Sequence, residues 1–175
     1  KHIAEVDSLI IKYKIGGLIF FQGGPARQAS QTNHYQSLAK TPLFVAIDGE
    51  WGLSMRLDST VAYPKQMTLG AIQNNDLIYQ MGVNIAKECK RVGMQINFAP
   101  DADINSNGLN PVIGYRAFSE SKADVAMKSI MYMKGMQDNL VMACGKHFPG
   151  HGDTDVDSHA DMPKINHSYE RLDSL

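Results

Sequence analysis

The segment Leu140-Val141-Met142-Ala143-Cys144-Gly145-Lys146-His147-Phe148-Pro149-Gly150-His151-Gly152-Asp153-Thr154-Asp155-Val156-Asp157-Ser158-His159 joins two kinds of sequence. Its first five residues are an apolar run too short for a helix, as expected of a strand inside a parallel sheet. Its last fourteen residues hold three histidines, three aspartates and one lysine, separated mainly by glycine, proline and small residues. A buried strand that opens directly into a titratable loop is the usual arrangement of an α/β domain. Functional groups in such domains collect beyond the C-terminal ends of the strands.

The same alternation runs back through the chain. Ile3, Val6, Ile10 and Tyr13 recur at helical spacing and predict a helix ending near Gly16 and Gly17. Leu18-Ile19-Phe20-Phe21, bounded by glycines, predicts a strand buried on both faces. Pro25 suits the first position of a helix running to about Lys40. Leu43-Phe44-Val45-Ala46-Ile47 predicts a second strand that stops at the polar cluster Asp48-Gly49-Glu50-Trp51-Gly52. After a long connection, Ile78, Met81, Ile85, Cys89 and Val92 mark the buried face of a helix, with Gly93 at its C-terminal end. Residues 94–99 predict a third strand, in which Gln95 and Asn97 alternate with Ile96 and Phe98 before Pro100 and Asp101. Ser121-Lys122-Ala123-Asp124 forms a capping box for a helix expected to bury Ala126, Ile130, Met133 and Met136.

Strands alternating with helices imply parallel pairing through right-handed crossovers. A dinucleotide-binding sheet would carry G-x-G-x-x-G after its first strand, and Phe21-Gln22-Gly23-Gly24-Pro25 does not supply it. The expected fold is therefore α/β of the (β/α)8 TIM-barrel type. Such a barrel needs roughly 250 residues, and this chain has 175. Lys1 also falls inside a helical pattern. The expectation is one partial barrel domain over residues 1–175, truncated at both ends and carrying about half of the strands.

Composition narrows the partners. With 43% hydrophobic residues the chain can build a sizeable core, and its formal net charge of -1 comes without any basic stripe for nucleic acid or anionic lipid. No apolar run reaches membrane-spanning length. Cys89 and Cys144 are too far apart for a metal-type spacing and read as buried free thiols. A small neutral or weakly charged ligand is expected, with no nucleic acid and no cofactor.

The loop itself admits two chemistries. Metal binding fits poorly: Asp153-x-Asp155-x-Asp157 opens like a calcium loop but has Ser158 where the turn needs glycine and Lys164 where a bidentate glutamate belongs. Acid/base chemistry fits better. Asp157, two residues before His159, can fix the imidazole tautomer and stabilise its protonated form, which makes His159 a candidate general acid/base. Gly150 and Gly152 flank His151, which predicts a mobile lid over residues 149–162.

Residues 146–154 together with Asp157-Ser158-His159 resemble the signature of family 3 glycoside hydrolases, in particular bacterial β-N-acetylglucosaminidases. Asn97-Phe98-Ala99-Pro100, Asn110-Pro111-Val112-Ile113-Gly114-Tyr115-Arg116-Ala117-Phe118 and Asp48-Gly49-Glu50-Trp51-Gly52 extend the resemblance over nearly the whole chain. The resemblance implies that Asp48 binds outer hydroxyls of a non-reducing sugar, with Arg116, Lys146 and His147 lining the same pocket. It also implies that Asp157 and His159 are the acid/base dyad of a retaining enzyme that removes terminal β-N-acetylglucosamine, from cell-wall muropeptide fragments. The nucleophile would be an aspartate on a later barrel strand, beyond this chain. A β-glucosidase or β-xylosidase of the same family, or an inactive sugar-binding module, are the alternatives. A bacterial source follows, in cytoplasm or periplasm. Two departures from the family pattern, Trp51 and Ser119, leave the exact sugar open, and Trp51 reads equally as a core anchor or a sugar-stacking platform.

Overall fold

The computed structural model describes residues 2–174. Four parallel strands, β1 (Gly17–Phe20), β2 (Phe44–Ile47), β3 (Ile96–Asn97) and β4 (Met142–Ala143), lie in one sheet in that order. The helices are α1 (Ile3–Ser8), continued by a π-helical turn over Leu9–Tyr13, α2 (Pro25–Leu38), α3 (Gln66–Gly70), α4 (Asp76–Arg91), α5 (Lys122–Gln137) and α6 (Tyr169–Ser174). In doubly wound sheets the chain returns to the other side of β1. Here β4 pairs with β3, Ile96 opposite Met142, and the strand order never reverses, as in the wall of a barrel.

The polar residues of the third strand are explained by what they replace. Gln95 Oε1 accepts the Val45 N–H at 2.8 Å, and Asn97 bonds Gly49 through both its amide groups, at 2.9 and 3.1 Å. These side chains satisfy backbone groups that the short ladder leaves unpaired. Beyond the ladder, β3 and β4 meet again: Ala102 N–H donates to Lys146 O at 2.7 Å and Lys146 N–H to Pro100 O at 3.2 Å. That pairing sets Asp101 beside Lys146.

The main core lies between the sheet and helices α4 and α5, built from Val45, Ile47, Ile85, Met94, Tyr132 and Met136. A smaller cluster of Ile10, Tyr35 and Leu43 joins the N-terminal helical segment, α2 and the start of the second strand. Several expectations need correction. β1 is not buried on both faces, since Ile19 is 40% exposed. Helix α5 turns Val125, Ser129, Tyr132 and Met136 inward, while Ala126 and Ile130 face outward. Apolar residues surround this helix, so their spacing alone cannot choose a face. The choice is made by the Tyr132 hydroxyl, which donates to Gly49 O at 3.2 Å, and by Gly135. Ser121 does cap α5, its Oγ accepting the Asp124 N–H at 3.4 Å. Cys89 is buried and Cys144 only half-buried, both as free thiols.

Helices α4 and α5 cross at Gly82 and Gly135. A Cβ at Gly135 would sit 2.2 Å from Tyr79 O and 2.9 Å from Val83 N, both backbone atoms that cannot step aside. Gly135→Ala is therefore expected to lower unfolding free energy by about 1–3 kcal/mol through overpacking. Chemical denaturation measures it. A variant as stable as the wild type would show that the crossing is loose.

Candidate active site at the strand ends

The polar residues that follow β2, β3 and β4 converge on Arg116. Glu50, in the turn after β2, is fully buried, and the Arg116 guanidinium grips it with two bonds, Nε to Oε2 at 2.9 Å and Nη2 to Oε1 at 2.6 Å. Arg116 is aimed by a short 3-10 turn, Gly114–Arg116, whose entry is fixed by Asn110 Oδ1 accepting the N–H groups of Val112 and Ile113 at 2.8 and 2.7 Å. Lys146, just past β4, bridges Glu50 Oε1 at 2.7 Å and Asp48 Oδ1 at 2.5 Å. Arg56 binds the other Asp48 oxygen and, through Nε, the Asp48 carbonyl at 3.1 Å. Burial pushes the Asp48 carboxyl up, yet the hydrogen bonds from Lys146 and Arg56 outweigh it and hold it below the ordinary carboxylate range.

A second layer supports His147. Its Nδ1 lies 2.6 Å from Asp103 Oδ2, and its Nε2 lies 3.2 Å from Arg116 Nη2. Asp103 also accepts the backbone N–H groups of His147 at 3.1 Å and His151 at 2.6 Å. Burial raises the Asp103 carboxyl, but the hydrogen bonds from His147 and the His151 backbone keep it low. Asp101 is clamped by Gln66, which accepts its N–H at 3.1 Å and donates to its carbonyl at 2.6 Å.

Asp48, Arg116, Lys146 and His147 thus share one network, although they are scattered over a hundred residues of sequence. Asp157 and His159 form a pair of their own: Asp157 Oδ1 accepts the His159 N–H at 2.8 Å and lies 2.7 Å from its Nδ1. That pair is exposed, and among the described residues it makes no hydrogen bond or ion pair with Arg116, Lys146 or His147. The His159 backbone and ring, and then the charge of nearby His151, hold the Asp157 carboxyl low.

The lid expected over residues 149–162 divides in two. His151, Gly152 and Thr154 are buried. Asn110 Nδ2 donates to His151 O at 2.8 Å and Thr154 O at 2.7 Å, and a Cβ on Gly152 would meet Ile104 O at 1.7 Å. The two glycines that read as hinges therefore include one that permits close packing. The stretch after Thr154, which carries the Asp-His pair, is largely exposed, as is Pro149 at the start of the loop.

Glu50, Asp101 and Asp103 lie outside the set of site residues expected from the sequence, although Glu50 and Asp101 follow strand ends. Glu50, Asp101 and His147 bring one donor atom each within 4.8 Å of one another, a set able to hold a cation. The Arg116 guanidinium already lies against all three, at 2.6, 3.4 and 3.2 Å, and supplies positive charge there. Trp51 is half-buried, with the Lys65 ammonium 5.3 Å from its ring centre. Among the described residues no helix is long and apolar enough to cross a membrane.

The family model of the glycosyl hydrolase family 3 N-terminal domain matches residues 1–175. β-Hexosaminidase A of Pseudoalteromonas piscicida is 37% identical over 181 residues, covering 96% of this chain and 30% of that protein. The β-hexosaminidase of Thiobacillus denitrificans is 36% identical over 159 residues, covering 85% of this chain and 44% of that one. Among solved structures, a family 3 β-N-acetylglucosaminidase from Paenibacillus sp. superposes with a TM-score of 0.91 at 38% identity, covering 98% of this chain and 34% of that chain. NagZ from Neisseria gonorrhoeae, in complex with N-trifluoroacetyl-D-glucosamine, gives 0.87 at 28% identity, covering 97% of this chain and 53% of that chain. The chain spans between 30% and 53% of these relatives.

Asp48 and Asp103 are both held below the unfolded carboxylate value of 3.8. Their contribution to stability is present above that value and is lost as pH falls through the lower folded values. An acid titration of unfolding should therefore show a steep loss below pH 3.8, shallower in Asp103→Asn. An unchanged acid limb in that variant would remove Asp103 from the account.

Proposed function

This chain belongs to glycosyl hydrolase family 3, and on that premise we propose that its protein removes non-reducing terminal β-N-acetylglucosamine by a retaining mechanism, acting on cell-wall muropeptide fragments. The observation that carries this reading is the pairing of a largely buried polar network around Asp48, Arg116, Lys146 and His147 with an exposed Asp157–His159 dyad on the loop that leaves it. The names of the relatives, β-hexosaminidase and β-N-acetylglucosaminidase, support it.

In this mechanism Asp48, kept ionised by Lys146 and Arg56, accepts hydrogen bonds from the outer sugar hydroxyls. Arg116, Lys146 and His147 complete the pocket, their positions fixed by Glu50 and Asp103, so little reorganisation is needed when the sugar enters. His159 protonates the departing glycosidic oxygen and later takes a proton from water, while Asp157 fixes its tautomer and stabilises its charged form. The nucleophile is an aspartate outside residues 1–175, about 5 to 5.5 Å from the proton donor in a retaining site. The Asp-His pair favours this activity over a β-glucosidase or β-xylosidase of the family.

The test uses the complete protein with aryl β-N-acetylglucosaminides and β-glucosides. Hydrolysis of the former and not the latter is expected. His159→Ala should lower turnover about 10²- to 10⁴-fold with substrate binding little changed, because proton transfer acts in the transition state. The polypeptide of residues 1–175 alone should release no sugar. Binding of N-acetylglucosamine without turnover by the complete protein would replace the enzyme with a sugar-binding module, and near-normal turnover by His159→Ala on a poor leaving group would unseat the dyad.

A further inference from the structure

Asp101 is fully buried at the centre of the site, and one of its carboxyl oxygens accepts no hydrogen bond among the described residues. Oδ1 accepts the Asp103 N–H at 3.0 Å. Oδ2 has no hydrogen-bond partner among the described residues and lies 3.4 Å from Arg116 Nη2 and 3.9 Å from His147 Nδ1. An ionised carboxylate has room for about four hydrogen bonds and is costly to bury with most of them unmade. A neutral carboxyl tolerates the same place better.

The neighbours argue the same way. A guanidinium can only donate, so the 3.2 Å contact from Arg116 Nη2 makes His147 Nε2 an acceptor without a proton. Nδ1 then carries the ring proton and donates to Asp103 Oδ2 at 2.6 Å. His147 is therefore a neutral imidazole and brings no charge. Three permanent cations, Arg56, Arg116 and Lys146, stand in this network against three carboxylates: Arg56 and Lys146 meet Asp48, Lys146 and Arg116 meet Glu50, and Asp103 meets only the His147 ring. A fourth ionised carboxylate at Asp101 would leave a net negative charge out of water.

We propose that Asp101 is held as a neutral carboxylic acid and acts as a positioning residue, keeping the sugar pocket charge-balanced and His147 in its neutral Nδ1–H form. Burial, and after it the charges of Asp103 and Glu50, push the Asp101 carboxyl up to about 8, against a smaller pull from Arg116. The groups facing it on every side are thus Glu50 and Arg116 from the neighbouring loops, Asp103 from its own strand end, and His147, with His151 edge-on behind, from the segment after β4. An uncharged sugar then enters a site with no excess charge to compensate.

Linkage gives the sign. The folded chain keeps a proton at Asp101 that the unfolded chain loses above 3.8, so this group makes stability fall as pH rises from there to about 8. The experiment compares wild type with Asp101→Asn, a neutral isostere, by thermal unfolding across pH, and reads the His147 tautomer by nitrogen NMR at neutral pH. Near neutrality the variant should unfold at or above the wild-type temperature, with the gap widening up to about pH 8 and levelling off above it, and both proteins should show the His147 Nδ1–H form. An ionised Asp101 paired with Arg116 predicts the opposite: the variant less stable across the neutral range, which would overturn the proposal. A protonated His147 imidazolium at neutral pH would overturn it as well. Neither readout involves sugar, so failure here leaves the proposed glycosidase activity standing, and failure of that activity leaves Asp101 neutral.

Discussion

The forked pair of Arg116 and Glu50 is the constraint on which the site depends. Glu50 has no contact with water, and a carboxylate so placed is tolerable only with a partner that meets both its oxygens. Removing one side of such a buried pair typically costs about 3–5 kcal/mol, because the other charge is stranded. The pair joins the turn after β2 to the loop that precedes α5, and Lys146 adds the end of β4 to the same carboxylate. Three distant parts of the chain are thereby held to one geometry. Arg116 cannot be exchanged for lysine on these terms, since an ammonium offers no planar fork.

The sheet and the site show different degrees of legibility. Short apolar runs mark the first, second and fourth strands, and an alternation of Gln95 and Asn97 with Ile96 and Phe98 marks the third, while Pro25 and Gly93 punctuate α2 and α4 as their backbone restrictions require. Tertiary contacts decided the rest. The inward face of α5 was hidden by apolar residues on every side, and only the reach of the Tyr132 hydroxyl to Gly49 and the close approach at Gly135 selected it. Ile19 reads as buried from its neighbours, yet the first strand has a partner on one edge alone in this sheet.

Site residues divided along the same line. Asp48, Arg116, Lys146 and His147 stand in motifs that a family resemblance marks. Their meeting depends on the resumed pairing of Asp101 with Lys146. Asp103 carries no sign of its role in sequence, because its significance is a distance to His147 and to two backbone N–H groups. Gly152 misleads for a related reason. Glycine permits both a hinge and a close approach, and only the Ile104 carbonyl beside it shows which is in use.

The contrast between the two halves of the loop fits the roles proposed for them. Groups that hold a sugar gain from rigidity and from a water-poor setting, where each hydrogen bond is strong and its geometry fixed in advance. His151, Gly152 and Thr154 are placed that way: Asp103, Asn110 and the wall at Ile104 tie them down. A proton donor has other needs. It must reach the leaving oxygen in one step, meet water in the next, and titrate near neutrality, which burial of an imidazole would oppose. Asp157 and His159 sit on the outer half, where the side chain of His159 is 84% exposed and its carboxylate partner is supplied from two residues away. A dyad closed on itself in this way needs no partner from the barrel wall to fix its hydrogen bond, which suits the acid/base role proposed for His159. Asp153 anchors the junction between the halves, with His167 at 2.6 Å and the Ser106 hydroxyl at 3.0 Å.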